Sequence, residues 1–91
     1  MQSPIDKLLK KHQELVQSDR RVVVSHVQRE QGDWIINTLM IAGQSVPFIY
    51  KRKRRYKSLQ GQRVNITYYA AVDAVAGIEF EVMKVVRIRV S

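Results

Sequence analysis

Ninety-one residues, 45 % apolar and without a cysteine, make one small domain that cannot hold disulfides or thiolate metal sites. The formal charge is +8, from 16 basic against 8 acidic side chains, and six of the basic ones fall within residues 51–57. No apolar run approaches the roughly 18–20 residues of a membrane span, and "MQSPIDKLLKKHQEL" has neither the apolar core nor the cleavage site of a secretory signal, so a cytoplasmic protein is expected.

The first element predicted is a helix over 3–17. Ser3 suits an N-cap, Pro4 the first helical position, and Asp6 completes an S-x-x-D capping pattern. Ile5, Leu8, Leu9, Leu15 and Val16 fall on one stripe at helical spacing, with His12 in the gap. Asp6, Lys7, Lys10, Lys11, Gln13, Glu14 and Gln17 face away. So short a helix is marginal alone, so its stripe is expected to cover one end or face of the rest.

From Arg20 the texture is that of strands. "RRVVVSHVQRE" is rich in β-branched residues and ends at the turn signal "QGD". "WIINTLMIAG" is apolar on both faces, as a central strand would be, with Trp34 expected in the core and Gly43 closing the run. "VPFIYK" sets Val46, Phe48 and Tyr50 in one phase, and Pro47 marks an edge or a strand start. "RVNITYYA" alternates: Val64, Ile66, Tyr68 and Ala70 on one side, Arg63, Asn65, Thr67 and Tyr69 on the other. "AVDAVAG" is a small-residue connection with room for one helical turn. In "IEFEVMKVVRIRV", Ile78, Phe80, Val82, Val86, Ile88 and Val90 share a face, and Lys84 breaks the phase where a bulge or barrel rim is expected. The fold class is thus mainly β: an N-terminal helix, then a five-stranded small barrel over 20–91, all within one domain spanning 1–91.

The five-strand stretch from Arg21 to Ser91 resembles an OB-fold. "YKSLQGQRVNITYYAAVDAVAGIEFEVMKVVRI" is similar in style to the second half of such domains, with a Gly-containing turn at Gly61, an alternating fourth strand, a loop and a final strand. The resemblance implies an oligonucleotide surface on the strand 2–3 face and the 1–2 and 4–5 loops. Those would be the loop around Gln31–Asp33, the strands flanking Val46 and the loop around Val72–Gly77. "AVDAVAG" departs from that pattern in being apolar and slightly acidic, and the leading helix is extra. A helix followed by five strands also looks like the SH3-type and Sm-like small barrels.

The chemistry is concentrated in "YKRKRRYK". Lys51, Arg52, Lys53, Arg54, Arg55 and Lys57 are flanked and interrupted by Tyr50 and Tyr56, while the other residues of the chain hold ten basic and eight acidic side chains. Cations displace counterions from phosphates and tyrosines stack on bases, so DNA or RNA, preferably single-stranded, is the expected partner. Six cations in seven residues exceed what protection of a strand edge needs. Arg63, Tyr69, Arg87 and Arg89 are candidate extensions of the same surface, with Tyr69 as its stacking ring. No nucleophile elbow, phosphate loop or paired-carboxylate motif is present, and the two histidines lie on different elements, so neither catalysis, a metal nor a cofactor is expected. The alternative is a protein-interaction or oligomerisation module that docks its helix stripe on a partner or a second copy.

Overall fold

The computed structural model describes residues 15–91, which fold into five strands. These are β1 (Val16–Gln31), β2 (Trp34–Ile41), β3 (Phe48–Arg52), β4 (Arg63–Val75) and β5 (Ile78–Val90). The sheet closes on itself in the order β1-β2-β3-β5-β4, with β4 returning to β1. Neighbours are antiparallel except β3 and β5, which run parallel through Phe48↔Met83 and Ile49↔Lys84. Closure of a mainly β sheet removes the free edges that so small a chain could not otherwise protect.

The helix expected over 3–17 is corrected at its end. Val16 and Gln17 belong to β1, opposite Tyr68 and Thr67 of β4; the rest of that element, up to residue 14, lies outside the described residues. Pairing with β4 outweighs the helical stripe at these two positions, as tertiary context commonly does. The first strand therefore starts at Val16 rather than Arg20 and is long enough to pair with β4 through its first half and β2 through its second. It bends twice to do so, at register shifts between Ser18 and Arg21 and between Val23 and Ser25. Arg20 sits in the first of these at φ 55°, and its N–H donates to Asn65 Oδ1 at 2.9 Å.

The core follows the alternation. Val23, Leu39, Ile41, Phe48, Val64, Ile66 and Tyr68 form one buried cluster, one or more from each of β1 to β4, and Met83, Val85 and Ile88 of β5 pack against it. Phe48 meets Tyr68 edge to face at 4.8 Å, and the Tyr68 hydroxyl lies 3.3 Å from Ser18 Oγ. Pro47 precedes β3, and its carbonyl accepts the Met83 N–H at 2.8 Å, joining the parallel strands.

Two expectations about the C-terminal half are corrected. "AVDAVAG" is not a loop: β4 and β5 stay paired out to Val75↔Ile78, and only Ala76 and Gly77 turn. The register shift in this pair lies opposite Thr67/Tyr68, where Val86 is the extra residue between Val85 and Arg87. Lys84 stands two residues from it and ion-pairs with Asp73 at 3.0 Å. The bulge changes the phase of β5, and the hairpin outruns the barrel. Ile78, Phe80, Val86 and Val90 are therefore exposed rather than sharing a core face.

Ala76 and Gly77 both have positive φ, 51° and 81°, as a two-residue turn between right-twisted strands requires. Alanine pays a steric penalty there that asparagine largely avoids. Ala76→Asn should stabilise the protein by about 0.5–1 kcal/mol, read as a rise of a few degrees in Tm; an unchanged or lower Tm would contradict the strain at this turn.

Candidate functional site

β3 pairs with β5 only at its start. Beyond Ile49↔Lys84 the two strands separate, and the gap opens the end of the barrel between them. Tyr50 and Arg52 continue the inward phase of Phe48, opposite Asn37 and Ile35 of β2. A cleft of about 240 Å³ results, whose lining includes His26, Asn37, Tyr50, Arg52, Tyr56 and Arg89. A second depression, about 210 Å³, continues along the gap and is lined by Tyr50, Lys51, Arg52 and, from β5, residues including Arg87 and Ile88. Lys51, Arg52 and Lys57 of the basic run and the C-terminal arginines, thirty or more positions apart in sequence, thus share one groove.

The basic run is half strand and half loop. Lys51 and Arg52 end β3; residues 53–57 leave it and cross the mouth of the barrel. Contacts with β1 hold the crossing in place. Gln28 Nε2 donates to the Tyr56 carbonyl at 2.8 Å, and the Tyr56 N–H donates to Gln28 Oε1 at 3.2 Å. The Leu59 N–H donates to His26 Nδ1 at 2.9 Å, and the Gly61 N–H to the Val23 carbonyl at 2.8 Å. Leu59 packs its half-buried side chain on the core. The Leu59 bond requires Nδ1 of His26 to be unprotonated, so Nε2 carries the ring hydrogen and donates to Asn37 Oδ1 at 2.7 Å. Asn37, buried, donates in turn to the Ile35 carbonyl at 3.2 Å. His26 is a positioning residue for the crossing segment.

Cations and rings interleave in the groove and beside it. The Arg52 guanidinium lies 5.5 Å from the Tyr50 ring centre and 5.7 Å from that of Tyr56. Lys53 Nζ stands 4.1 Å over the Trp34 ring. Trp34 is 41 % exposed rather than part of the core, because it begins β2 directly after the Gly32–Asp33 turn, at the rim. Burial pushes the Tyr50 hydroxyl above its ordinary value of 10.0, an effect that Arg52 partly offsets, so the phenol stays protonated and able to donate at neutral pH. Every residue of 51–57 is exposed. Among the described residues only Arg55 of that run meets a carboxylate, Glu30 at 3.7 Å, and Arg55 also donates to the Gln28 carbonyl at 3.3 Å. Lys51, Arg52, Lys53, Arg54 and Lys57 have no carboxylate partner among the described residues, nor do Arg87 and Arg89.

Two candidates fall elsewhere. Arg63 starts β4 opposite Val22 and is not among the residues lining either depression; Tyr69 is opposite Lys84 and lies outside both. Asn65 and Thr67, which share their side of β4, are engaged by β1 through Arg20 and Gln17. The sequence reading missed His26, Gln28, Asn37 and Trp34 as parts of the site. Only Trp34 carried a local signal, an aromatic set beside a turn.

Comparison of the chain with protein-family models, with curated proteins and with solved structures finds no match in any of the three.

Proposed function

We propose that this is an OB-type barrel that binds single-stranded nucleic acid along the gap between β3 and β5, without catalysis and with little sequence preference. The observation that carries the reading is the interleaved cluster in and beside that groove. Arg52 is held between Tyr50 and Tyr56, Lys53 is held over Trp34, and Arg87 and Arg89 come from the facing strand. Free cations meet phosphates by releasing counterions, and exposed rings accept bases of any identity. The strand order β1-β2-β3-β5-β4, with β3 and β5 parallel, is the OB order and supports that reading over an SH3-type or Sm-like barrel. Tyr50 and Tyr56 line the cleft, and a ring face of this kind is open to an unpaired base but not to one stacked within a duplex, which favours single strands.

Fluorescence anisotropy with short single- and double-stranded DNA and RNA tests this. The expected result is tighter binding of single strands with a steep salt dependence. Tyr56→Ala should weaken binding by roughly 1–3 kcal/mol if its ring stacks on a base, with the salt slope nearly unchanged. Equal binding of duplex and single strand, or a Tyr56→Ala variant that binds like the parent, would contradict the stacking part of the proposal.

A further inference from the structure

The alternation that buries Val64 and Ile66 turns Arg63, Asn65 and Thr67 of β4 outward. Cross-strand partners share a face. Arg89, opposite Asn65, and Arg87, opposite Thr67, therefore belong to the same outer face of the barrel. β1 completes that face, with Gln17 opposite Thr67 and Val22 opposite Arg63. Between these two, Arg20 sits in the bulge of β1, and its N–H donates to Asn65 Oδ1 at 2.9 Å, so its backbone lies at this face too. Arg20, Arg63, Arg87 and Arg89 are exposed, and none meets a carboxylate among the described residues. The acid on this stretch of β1 is Asp19, to which Gln17 donates at 2.9 Å. Arg87 and Arg89 are two positions apart on β5, about 6.8 Å, and Arg63 is a diagonal neighbour of Arg89 at about 7–8 Å.

The same two arginines of β5 also border the groove. Arg89 lines the cleft at the barrel mouth, and Arg87 lines the depression that continues it. β5 is therefore a cationic ridge, with the groove on one side and Arg63 and Arg20 on the other. These steps are shorter than the screening length, about 10 Å at 0.1 M salt, so a phosphate chain crossing the ridge stays within a positive field. The acidic end of the hairpin gives the crossing a direction. Residues 70–82 contain Asp73, Glu79 and Glu81 and no basic side chain, and they continue β4 and β5 beyond Tyr69 and Lys84. Phosphates are repelled from that end and drawn toward the end that holds Arg63.

We propose that a single strand too long for the groove continues over β5 and lays its next phosphates on Arg63 and Arg20. The inference rests on the groove as the primary site and adds the path by which the strand leaves it. Arg20→Gln with Arg63→Gln tests it, titrated with oligothymidylates of about 5 and about 12 nucleotides, within the roughly 4–16 that one such barrel covers. Neither side chain makes a hydrogen bond or ion pair among the described residues, so the fold should persist. The short strand should bind the variant nearly as it binds the parent. The long strand should lose about 1.4 from its log–log salt slope, at about 0.7 for each of two phosphates, which is about 25-fold in affinity at 0.1 M salt relative to 1 M. In ¹⁵N spectra of the parent, the long strand and not the short one should move the amides of Arg63, Asn65 and Thr67, with the groove shifts common to both. A long strand that binds the variant like the parent, or a loss equal for both lengths, would overturn the proposal. Two short strands binding one chain with similar affinity would also overturn it, by making the outer face a separate site. Failure of both lengths to bind the parent would instead sink the groove itself, and the extension with it.

Discussion

Reversing one cation of the basic run and one of the facing strand, Arg54→Glu with Arg87→Glu, should weaken single-stranded nucleic-acid binding at least roughly 100-fold at low salt. A contact to a charged group contributes about 1.5–3 kcal/mol, and about 1.4 kcal/mol is tenfold, so losing two such contacts gives that order. If about four cations engage phosphates, the log–log salt slope of the parent should be near −3, at about −0.7 per phosphate, and the double variant should fall to about −1.5. All sequences should weaken alike, because phosphate contacts carry no base information. Both side chains are exposed and without a carboxylate partner among the described residues, so the fold should be unaffected. The pair is drawn from the crossing segment and from β5. A loss with Arg54→Glu alone, and none with Arg87→Glu, would mean that the loop acts without the facing strand. An unchanged slope would mean that the basic run only protects or solvates the rim.

Phe48→Ala should be the most damaging single substitution to stability. Phe48 is 1 % exposed, pairs with Leu39 across β2 and Met83 across β5, and meets Tyr68 edge to face. It also closes the barrel where β3 and β5 touch, since among the described residues the pairing of those two strands runs through it and Ile49. Truncation of a buried Phe costs about 3–5 kcal/mol, against a total of about 5–13 kcal/mol for a domain of this size. Thermal melting should move down by roughly 15–30 °C, or the chain should fail to fold at 37 °C. A shift of only a few degrees would show that the parallel β3–β5 contact is not what holds the ring closed.

The sequence was most informative where burial imposes a period of two. Val64, Ile66 and Tyr68 alternate with Asn65 and Thr67, and the strand and its buried side follow from that alone. It was least informative where partners are distant. Nothing local says that Val16 and Gln17 pair with β4, because Val16 completes a helical stripe and Gln17 continues its polar side. The bulge at Val86 was displaced toward Lys84 in the reading because a charged residue marks a break in hydrophobic phase. The register, however, shifts where the backbone gains a residue. "AVDAVAG" lacks turn residues until its last two positions, and its small side chains hide the continued pairing with Glu79 and Glu81.

The site divides in the same way. The cations and tyrosines of 50–57 were legible as composition. Their approach to Arg87 and Arg89 depends on β3 parting from β5, which closure of the ring decides. The roles of His26, Gln28 and Asn37 depend on the path of residues 53–62 across the barrel mouth, a path fixed by hydrogen bonds between positions about thirty apart. Trp34 was misassigned to the core because a tryptophan opening an apolar strand usually packs inward. Here the strand begins at the rim, and Lys53 covers the ring instead.

The central claim is that the gap between β3 and β5 is where a single strand lies. Titrating ¹⁵N-labelled protein with a short unlabelled single-stranded oligonucleotide, and mapping the amide shifts, tests it most directly. The predicted result is that the largest shifts fall on Tyr50, Lys51, Arg52, Tyr56, Arg87 and Arg89, with the side-chain N–H of Trp34 moving alongside and residues 70–82 still. Shifts centred on the β4–β5 ribbon, or on the side of β4 that holds Arg63 and Tyr69, would contradict it, as would a spectrum that the oligonucleotide leaves unchanged.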